Sequence, residues 1–169
     1  MKIRGTTCNL ASVVVLLVAT ACGTSRASAP ASAANMPKLA FNGLAGVPVK
    51  VRVLDHRADP AKSAEWVARV QSDVEAALRA AAVSVGGSPD NVFEIRINMA
   101  RADFELGNWN GCAKLTADLT RSGERRSATA ERCVKKGNLW GYKTADNVTI
   151  MAYQDALAEL LSNIDAQIR

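Results

Sequence analysis

Histidine is nearly absent from this 169-residue chain, which contains His56 alone. None of its four cysteines forms a Cys-x-x-Cys pair, the spacing that structural zinc sites usually need. The chain also lacks a Gly-x-Ser-x-Gly nucleophile elbow, a Walker-type loop and a dinucleotide-binding glycine loop. These absences argue against a zinc protein, a serine hydrolase and a nucleotide-dependent enzyme. We expect no metal and no cofactor.

A strong excess of charge is lacking too. The chain has 21 basic and 16 acidic residues, a net charge of +5, and Lys2 and Arg4 lie in the apparent leader. Nucleic-acid-binding proteins usually carry a basic stripe with interleaved aromatic residues. No such stripe exists here, and aromatic residues make up 5% of the chain. Nucleic acid is therefore not an expected partner, whereas attraction to an acidic envelope surface stays open.

His56 is the one candidate for a general base, because it stands between Asp55 and Arg57 at the predicted end of a strand. A neighbouring carboxylate can orient an imidazole for proton transfer. The position equally suits a solvated loop histidine, and nothing places a second acid opposite Asp55 or Asp59. We expect a protein without catalytic activity, with hydrolysis through His56 as the alternative.

The N-terminal residues have the pattern of a secretory signal peptide. Residues 1–4 (MKIR) are basic, residues 10–19 are apolar, and residues 19–22 (ATAC) are small. The apolar run is shorter than the ~20 residues that span a bilayer. We predict a signal peptide at 1–21, a flexible tether at 22–36 rich in Ala, Ser and Pro, and one domain at 37–169. The alternative is a buried N-terminal helix.

The segment from Cys112 to Cys133 predicts a disulfide-linked β-hairpin. A two-residue turn at Ser122-Gly123 would pair all residues whose numbers sum to 245, which sets the two cysteines opposite each other. Their pair falls at a non-hydrogen-bonded position of the ladder, where side chains approach most closely. The same register pairs Lys114 with Glu131 and threonine with threonine. Free thiols, half of a metal site, and a bulge that breaks the register are the alternatives.

Residues 19–22 resemble the lipobox of bacterial lipoproteins, in which Cys22 would receive the lipid, palmitate included, and become the first mature residue. Those proteins usually have Leu where this chain has Ala19, and the residues before Cys22 also fit ordinary signal peptidase. If the two hairpin cysteines pair, Cys22 is left alone in an oxidising compartment, which lipidation explains. Gly23 is the next residue. In the Gram-negative lipoproteins that this segment resembles, Asp at that position favours the inner membrane, so the resemblance implies the outer membrane, facing the periplasm.

Apolar periodicity predicts the remaining elements. Residues 47–55 and 92–105 alternate as strands do, and residues 60–83 and the C-terminal segment have helical spacing. In the second strand Phe93, Ile95, Ile97 and Met99 are predicted to point inward, and residues 106–111 are predicted to form a turn. Strands apolar on one face need one covering layer. We therefore predict an α+β two-layer sandwich, ordered β-α-β-β-β-α, with a roughly four-stranded, mainly antiparallel sheet and both helices on one face.

This layout, the lipobox and the strand end VRVLDHR (residues 51–57) resemble small envelope lipoproteins of the YajG type. The shared residues are Val51, Val53, Asp55 and Arg57. A broader similarity in layout extends to the LPS-assembly lipoprotein LptE and the curli secretion lipoprotein. The resemblance implies a periplasm-facing accessory protein without catalysis and supplies no functional residues.

Three aromatic residues in predicted connections are candidates for partner binding. Trp109 lies in the predicted turn 106–111, and Trp140 and Tyr142 lie in the connection 138–143. Aromatic residues on loops are enriched at interaction hot spots. The alternative is that the rings fold back over the helices. The outward sheet face mixes charges of both signs and is expected to be solvated surface.

Together these features predict a lipid-anchored envelope lipoprotein that faces the periplasm. It would act as a non-catalytic accessory or scaffold in outer-membrane assembly or maintenance. Its expected partners are the membrane, through a lipid on Cys22, and an envelope protein. The alternative is a soluble secreted or periplasmic domain that binds a ligand or a protein.

Overall fold

The structure, a computed structural model, describes residues 38–58, 62–87, 89–138 and 140–169. The predicted signal peptide, Cys22 and the predicted tether lie outside the described residues, as does Asp59. No helix in the described ranges is both long enough and apolar enough to cross a membrane.

The fold contains four strands and two long helices. In chain order these are β1 (Lys50–Asp55), α1 (Ser63–Ala80), β2 (Asn91–Glu105), β3 (Asn108–Arg121), β4 (Glu124–Gly137) and α2 (Ala145–Gln167). The strands form one sheet in the order β1-β2-β3-β4, with β1 parallel to β2 and the other neighbours antiparallel. The predicted α+β class and the predicted order of elements are confirmed.

The core lies between the sheet and the two helices. The alternation predicted for β1, β2 and β3 is confirmed, since the inward side chains of these strands are buried, among them Val51, Val53, Phe93, Ile95, Ile97, Ala113, Leu115, Ala117 and Leu119. Most of the predicted apolar stripe on α2 is also buried: Tyr153, Leu157, Leu160, Leu161 and Ile164. Burial of this apolar surface is the main source of stability in such a layer.

The β3–β4 hairpin has the predicted register along its whole length. Every pair from Arg121–Glu124 to Asn108–Gly137 sums to 245. Ser122 and Gly123 both have positive φ (49° and 86°), the conformation of the two-residue turn that suits the twist of a hairpin. Cys112 and Cys133 lie opposite each other with Cα atoms 4.1 Å apart and are joined by a disulfide.

A bulge in β2 reverses the predicted direction of one side chain. The pairing with β3 shifts between Ile97 and Met99, so that Met99 lies opposite Lys114 on the outer face. The prediction that Met99 points inward is therefore wrong. Beyond the bulge it is Ala100 that packs against the core. An extra residue in one strand changes which face every later side chain occupies.

Helix α2 crosses β3 at Gly111, and the close approach requires glycine. A Cβ atom at Gly111 would lie 2.6 Å from the carbonyl carbon of Val148. Any larger residue would push the first turns of α2 away from the sheet. The start of α2 and the beginning of β3 are thus held together at one end of the molecule.

The chain enters the fold at the opposite end of α2. The carboxylate of Asp165, which is 1% exposed, accepts a hydrogen bond of 2.8 Å from the backbone N–H of Phe41. It also accepts one from the Arg169 guanidinium at 2.7 Å. Burial raises the pKa of Asp165, but the hydrogen bonds from Arg169 and from the backbone outweigh burial and leave the pKa below its usual value.

Candidate functional site

Half of the aromatic side chains of this protein gather at one end. The chain has three Trp, two Tyr and three Phe. Phe41, Phe93 and Tyr153 are buried in the core, and Trp66 packs edge-on against Tyr153 with ring centroids 5.5 Å apart. The other four rings lie with Leu106 where β2 turns into β3 and where β4 leads into α2. We call this set the aromatic end: Phe104, Leu106, Trp109, Trp140 and Tyr142.

The aromatic end is strongly exposed. The exposed fractions are 54% for Phe104, 92% for Leu106, 80% for Trp140 and 83% for Tyr142. Large apolar side chains at such exposure contribute nothing to the core, and clusters of them mark interaction surfaces. The alternative prediction, in which the rings of Trp140 and Tyr142 fold back over the helices, is not what the structure has.

Trp109 joins the two segments of the aromatic end. Its predicted position in a turn is wrong, because Trp109 belongs to strand β3 and lies opposite Phe104 and Lys136. Its ring packs on Phe104 with centroids 4.9 Å apart. Its indole Nε1–H donates a hydrogen bond of 3.0 Å to the carbonyl of Lys143. Trp109 therefore positions the loop that carries Trp140 and Tyr142.

Backbone contacts hold that loop in place. The N–H of Asn138 donates to the carbonyl of Gly107 at 3.0 Å, and the Asn138 side-chain oxygen accepts from the N–H of Lys143 at 2.8 Å. Thr144 then caps α2 by accepting a hydrogen bond from the N–H of Asn147 at 3.2 Å. The loop is thus fixed at both ends while its rings point into solvent. Such a loop loses less conformational entropy when it binds a partner.

The turn between β2 and β3 consists of Leu106 and Gly107 alone, which sequence analysis missed. Leu106 has φ 49°, in the left-handed region that a leucine rarely adopts. Its side chain is also the most exposed large apolar group in the described part of the chain. Both conformation and exposure disfavour leucine here, so its presence points to a use for that side chain outside the fold. The sequence signal for this turn was the pair Leu106-Gly107, which stands between two segments of alternating apolar and polar residues.

His56 and Asp55 do not form an acid–base pair. The Asp55 carboxylate accepts hydrogen bonds from Arg57 at 2.9 Å (Nε) and 2.7 Å (NH2), and these two side chains are 4% and 8% exposed. Arg57 in turn lies 5.6 Å from the centroid of the Trp66 ring. The hydrogen bonds from Arg57 hold the pKa of Asp55 down at about 2. In the Val-x-Val-x-Asp-x-Arg segment, Asp55 and Arg57 thus form a buried ion pair at the end of β1. The His56 side chain between them is exposed.

The outward sheet face is a network of ion pairs more than a plain solvated surface. The Asp118 side chain is 5% exposed because Arg96 and Arg125 both bond to it. The Arg125 hydrogen bonds lower the pKa of Asp118. Nearby, Lys114 pairs with Glu131 at 3.0 Å, as the register predicted. Because many of its charges are paired, and because the large exposed apolar side chains of the described chain lie elsewhere, this face is a weaker candidate for partner binding than the aromatic end.

Comparisons with known proteins identify the fold. No family model and no curated protein matches this sequence. Among solved structures, a PelC variant from Paraburkholderia phytofirmans, a dodecamer, is similar with a TM-score of 0.50 and 19% identity, over 75% of this chain and 89% of that chain. At that identity the likeness concerns the fold alone.

Weaker likenesses were found to two other bacterial proteins. One is lipoprotein GNA1162 from Neisseria meningitidis, with a TM-score of 0.42 and 12% identity over 72% of this chain and 96% of that chain. The other is a DUF330 protein from Xanthomonas campestris, with a TM-score of 0.46 and 14% identity over 76% and 85%. Solved structures similar to this chain thus include proteins named as bacterial lipoproteins. The YajG type specifically stays a prediction.

Proposed function

We propose that this protein is a lipid-anchored, periplasm-facing envelope lipoprotein without catalytic activity, and that its aromatic end binds another envelope protein. The observation that carries the proposal is the exposure of Phe104, Leu106, Trp140 and Tyr142 on a loop and turn that Trp109 fixes together. Rigid aromatic anchors with low ordering cost dominate the binding energy of protein interfaces. A role in outer-membrane assembly or maintenance is the finer part of this proposal.

The position of the aromatic end favours a protein partner over the anchoring membrane. Helix α2 has 23 residues and is about 35 Å long. The chain enters beside Asp165, near the C-terminal end of α2, and the aromatic end lies at its N-terminal end. Cys22 and Lys38 are 16 residues apart, and the flexible tether predicted from the sequence would span about 22 Å on average. A lipid on Cys22 would thus hold the entry side near the bilayer and present the aromatic rings away from it.

A soluble secreted domain that binds through the same surface is the second candidate function. The two differ in whether Cys22 carries lipid. Because the similar PelC structure is a dodecamer, a second copy of this chain is one protein that the aromatic end would be tested against.

Site-specific photo-cross-linking in the native envelope tests the proposal. A photoreactive residue at Trp140 or Tyr142 of the full-length protein is expected to capture a discrete protein, with Thr129 on the outer sheet face as the control position. The same capture is repeated with Cys22→Ser. Loss of the cross-link in Cys22→Ser supports anchored action, whereas an unchanged cross-link in a soluble protein supports the secreted alternative. Equal labelling from Thr129 and from Trp140 would reject the aromatic end as a binding surface.

A further inference from the structure

A pocket of ≈ 270 Å³ opens at the end where the chain enters the fold. Leu44, Leu119 and Ile168 form its apolar floor, and three arginines stand around it together with Glu124 and Gln167: Arg121, Arg126 and Arg169. We call this region the entry end. The entry end presents guanidinium groups beside apolar surface, whereas the aromatic end presents apolar rings on a loop that backbone contacts hold in place.

The three guanidinium groups are available to a ligand. Arg121 donates one N–H to the carbonyl of Gly43. Arg126 contacts Glu124 at 3.3 Å with its side chain 53% exposed, and Arg169 contacts Asp165 at 2.7 Å with its side chain 61% exposed. A guanidinium has five N–H donors in a fork that matches phosphate oxygens, so each of these contacts leaves donors for an anion.

The charge balance of the pocket favours an anion. Three arginines face one glutamate among the lining residues. Asp165 lies beneath Arg169 and pairs with it at 2.7 Å, which leaves Arg121 and Arg126 against Glu124 and an excess of one positive charge. The exposed ammonium of Lys38, at the beginning of the described chain, adds a further positive charge at this end.

We propose that the entry end binds an anionic phospholipid headgroup of the membrane in which the protein is anchored. Two observations select this ligand: the arginines around an apolar-floored pocket, and the position of that pocket beside Gly43 and Leu44, close to the N-terminal end of the described chain. The inference rests on the proposed lipid anchor, which would bring the entry end to the headgroup layer. Each basic side chain at an anionic bilayer surface contributes binding that decays within a Debye length, about 8 Å at physiological salt.

Vesicle binding of the mature chain from residue 22, carrying Cys22→Ser so that no lipid is attached, tests the proposal. We expect it to co-sediment with phosphatidylcholine vesicles that contain phosphatidylglycerol and not with phosphatidylcholine alone. Arg126→Ala with Arg169→Ala should weaken binding by about 25-fold, at roughly fivefold for each arginine. Glu124→Gln should strengthen binding by about fivefold, and a gain cannot arise from misfolding.

Matched controls separate this site from general charge attraction. Arg101→Ala with Lys135→Ala removes the same charge from the other half of the sheet, where Arg101 lies opposite Cys112, nine residues along β3 from Arg121 or about 30 Å. These variants should bind as the parent does. Equal loss in both pairs, or no binding by the parent, would overturn the proposal. Displacement by inorganic phosphate would assign the pocket to a free anion and also overturn it. Since this assay contains no partner and no lipid anchor, its failure leaves the cross-linking test of the aromatic end intact.

Discussion

The entry end and the aromatic end lie at opposite ends of the same helix and are built on different principles. At the entry end, polar side chains bind the backbone of the entering chain: the buried Asp165 accepts from the N–H of Phe41, and the exposed Arg121 donates to the carbonyl of Gly43. At the aromatic end, backbone contacts shape a loop whose large side chains remain outside, with Trp140 80% exposed. The comparison teaches that a buried, paired group such as Asp165 stabilises this fold, whereas the rings of Trp140 and Tyr142, 80% and 83% exposed, face solvent.

Loss of the disulfide should have the largest effect on stability. It closes a loop with a sequence separation of 21, for which chain entropy predicts a loss of about 3 kcal/mol in the free energy of unfolding when Cys112→Ala and Cys133→Ala are combined. Urea denaturation with and without reductant measures it. Because the bond lies nearer to the start of β3 than to Arg121, hydrogen exchange should rise more at the aromatic end. Uniform loss of protection would show that the two ends are not independent.

Asp165→Ala should cost about 2 kcal/mol, because it leaves the buried N–H of Phe41 without an acceptor. The loss should be confined to the entry end, with unchanged hydrogen exchange in residues 104–109. Asp165→Asn keeps an acceptor and serves as the control. A loss in the alanine variant no larger than in the asparagine variant would mean that the charge, and not the hydrogen bond to the chain entry, matters.

Acid should weaken the ion pair between Asp55 and Arg57 at the end of β1. The pKa of Asp55 is lowered from 3.8 to about 2 by the hydrogen bonds of Arg57. A depressed carboxyl stabilises the fold above its unfolded pKa and loses that contribution as pH falls, here between about 4 and 2, by about 2 kcal/mol. Thermal unfolding across this range measures the effect. Asp55→Asn should flatten the pH dependence, and an equal slope in that variant would assign it to Asp118 and Asp165, whose pKa values are also lowered.

The sequence determined most of the fold because its signals are local. The Ser122-Gly123 turn fixes the hairpin register by counting, and the apolar period of α2 identifies its buried stripe. The bulge before Met99 was not predicted, since its extra residue, Asn98, fits the polar face of the alternating pattern and no glycine marks it. The contact of Asp165 with Phe41 joins residues 124 positions apart, which no local pattern encodes.

The candidate site was predicted in its residues but not in its construction. Trp109, Trp140 and Tyr142 were each selected as aromatics in connections, and the structure brings them to one end. Phe104 and Leu106 were missed, because alternation assigned Phe104 to a strand interior and gave no sign that the strand extends past the helix layer. The point at which strands extend beyond the helices that cover them depends on the lengths of several elements at once. Sequence pattern alone does not predict that point.

The smallest effect on stability should come from the rings themselves. Trp140→Ala with Tyr142→Ala should change the free energy of unfolding by less than about 0.5 kcal/mol, as exposed substitutions away from buried contacts do. Trp109→Phe is the contrasting variant, since it loses the hydrogen bond to the Lys143 carbonyl and should cost about 1 kcal/mol. Urea denaturation of both variants decides between two accounts of the aromatic end. If the double alanine variant lost 2 kcal/mol or more, the rings would be part of the fold, and the difference between the two ends would disappear. If it lost nothing while a photo-cross-link from a probe placed at Leu106 disappeared, binding would account for large apolar side chains in a place where folding does not use them.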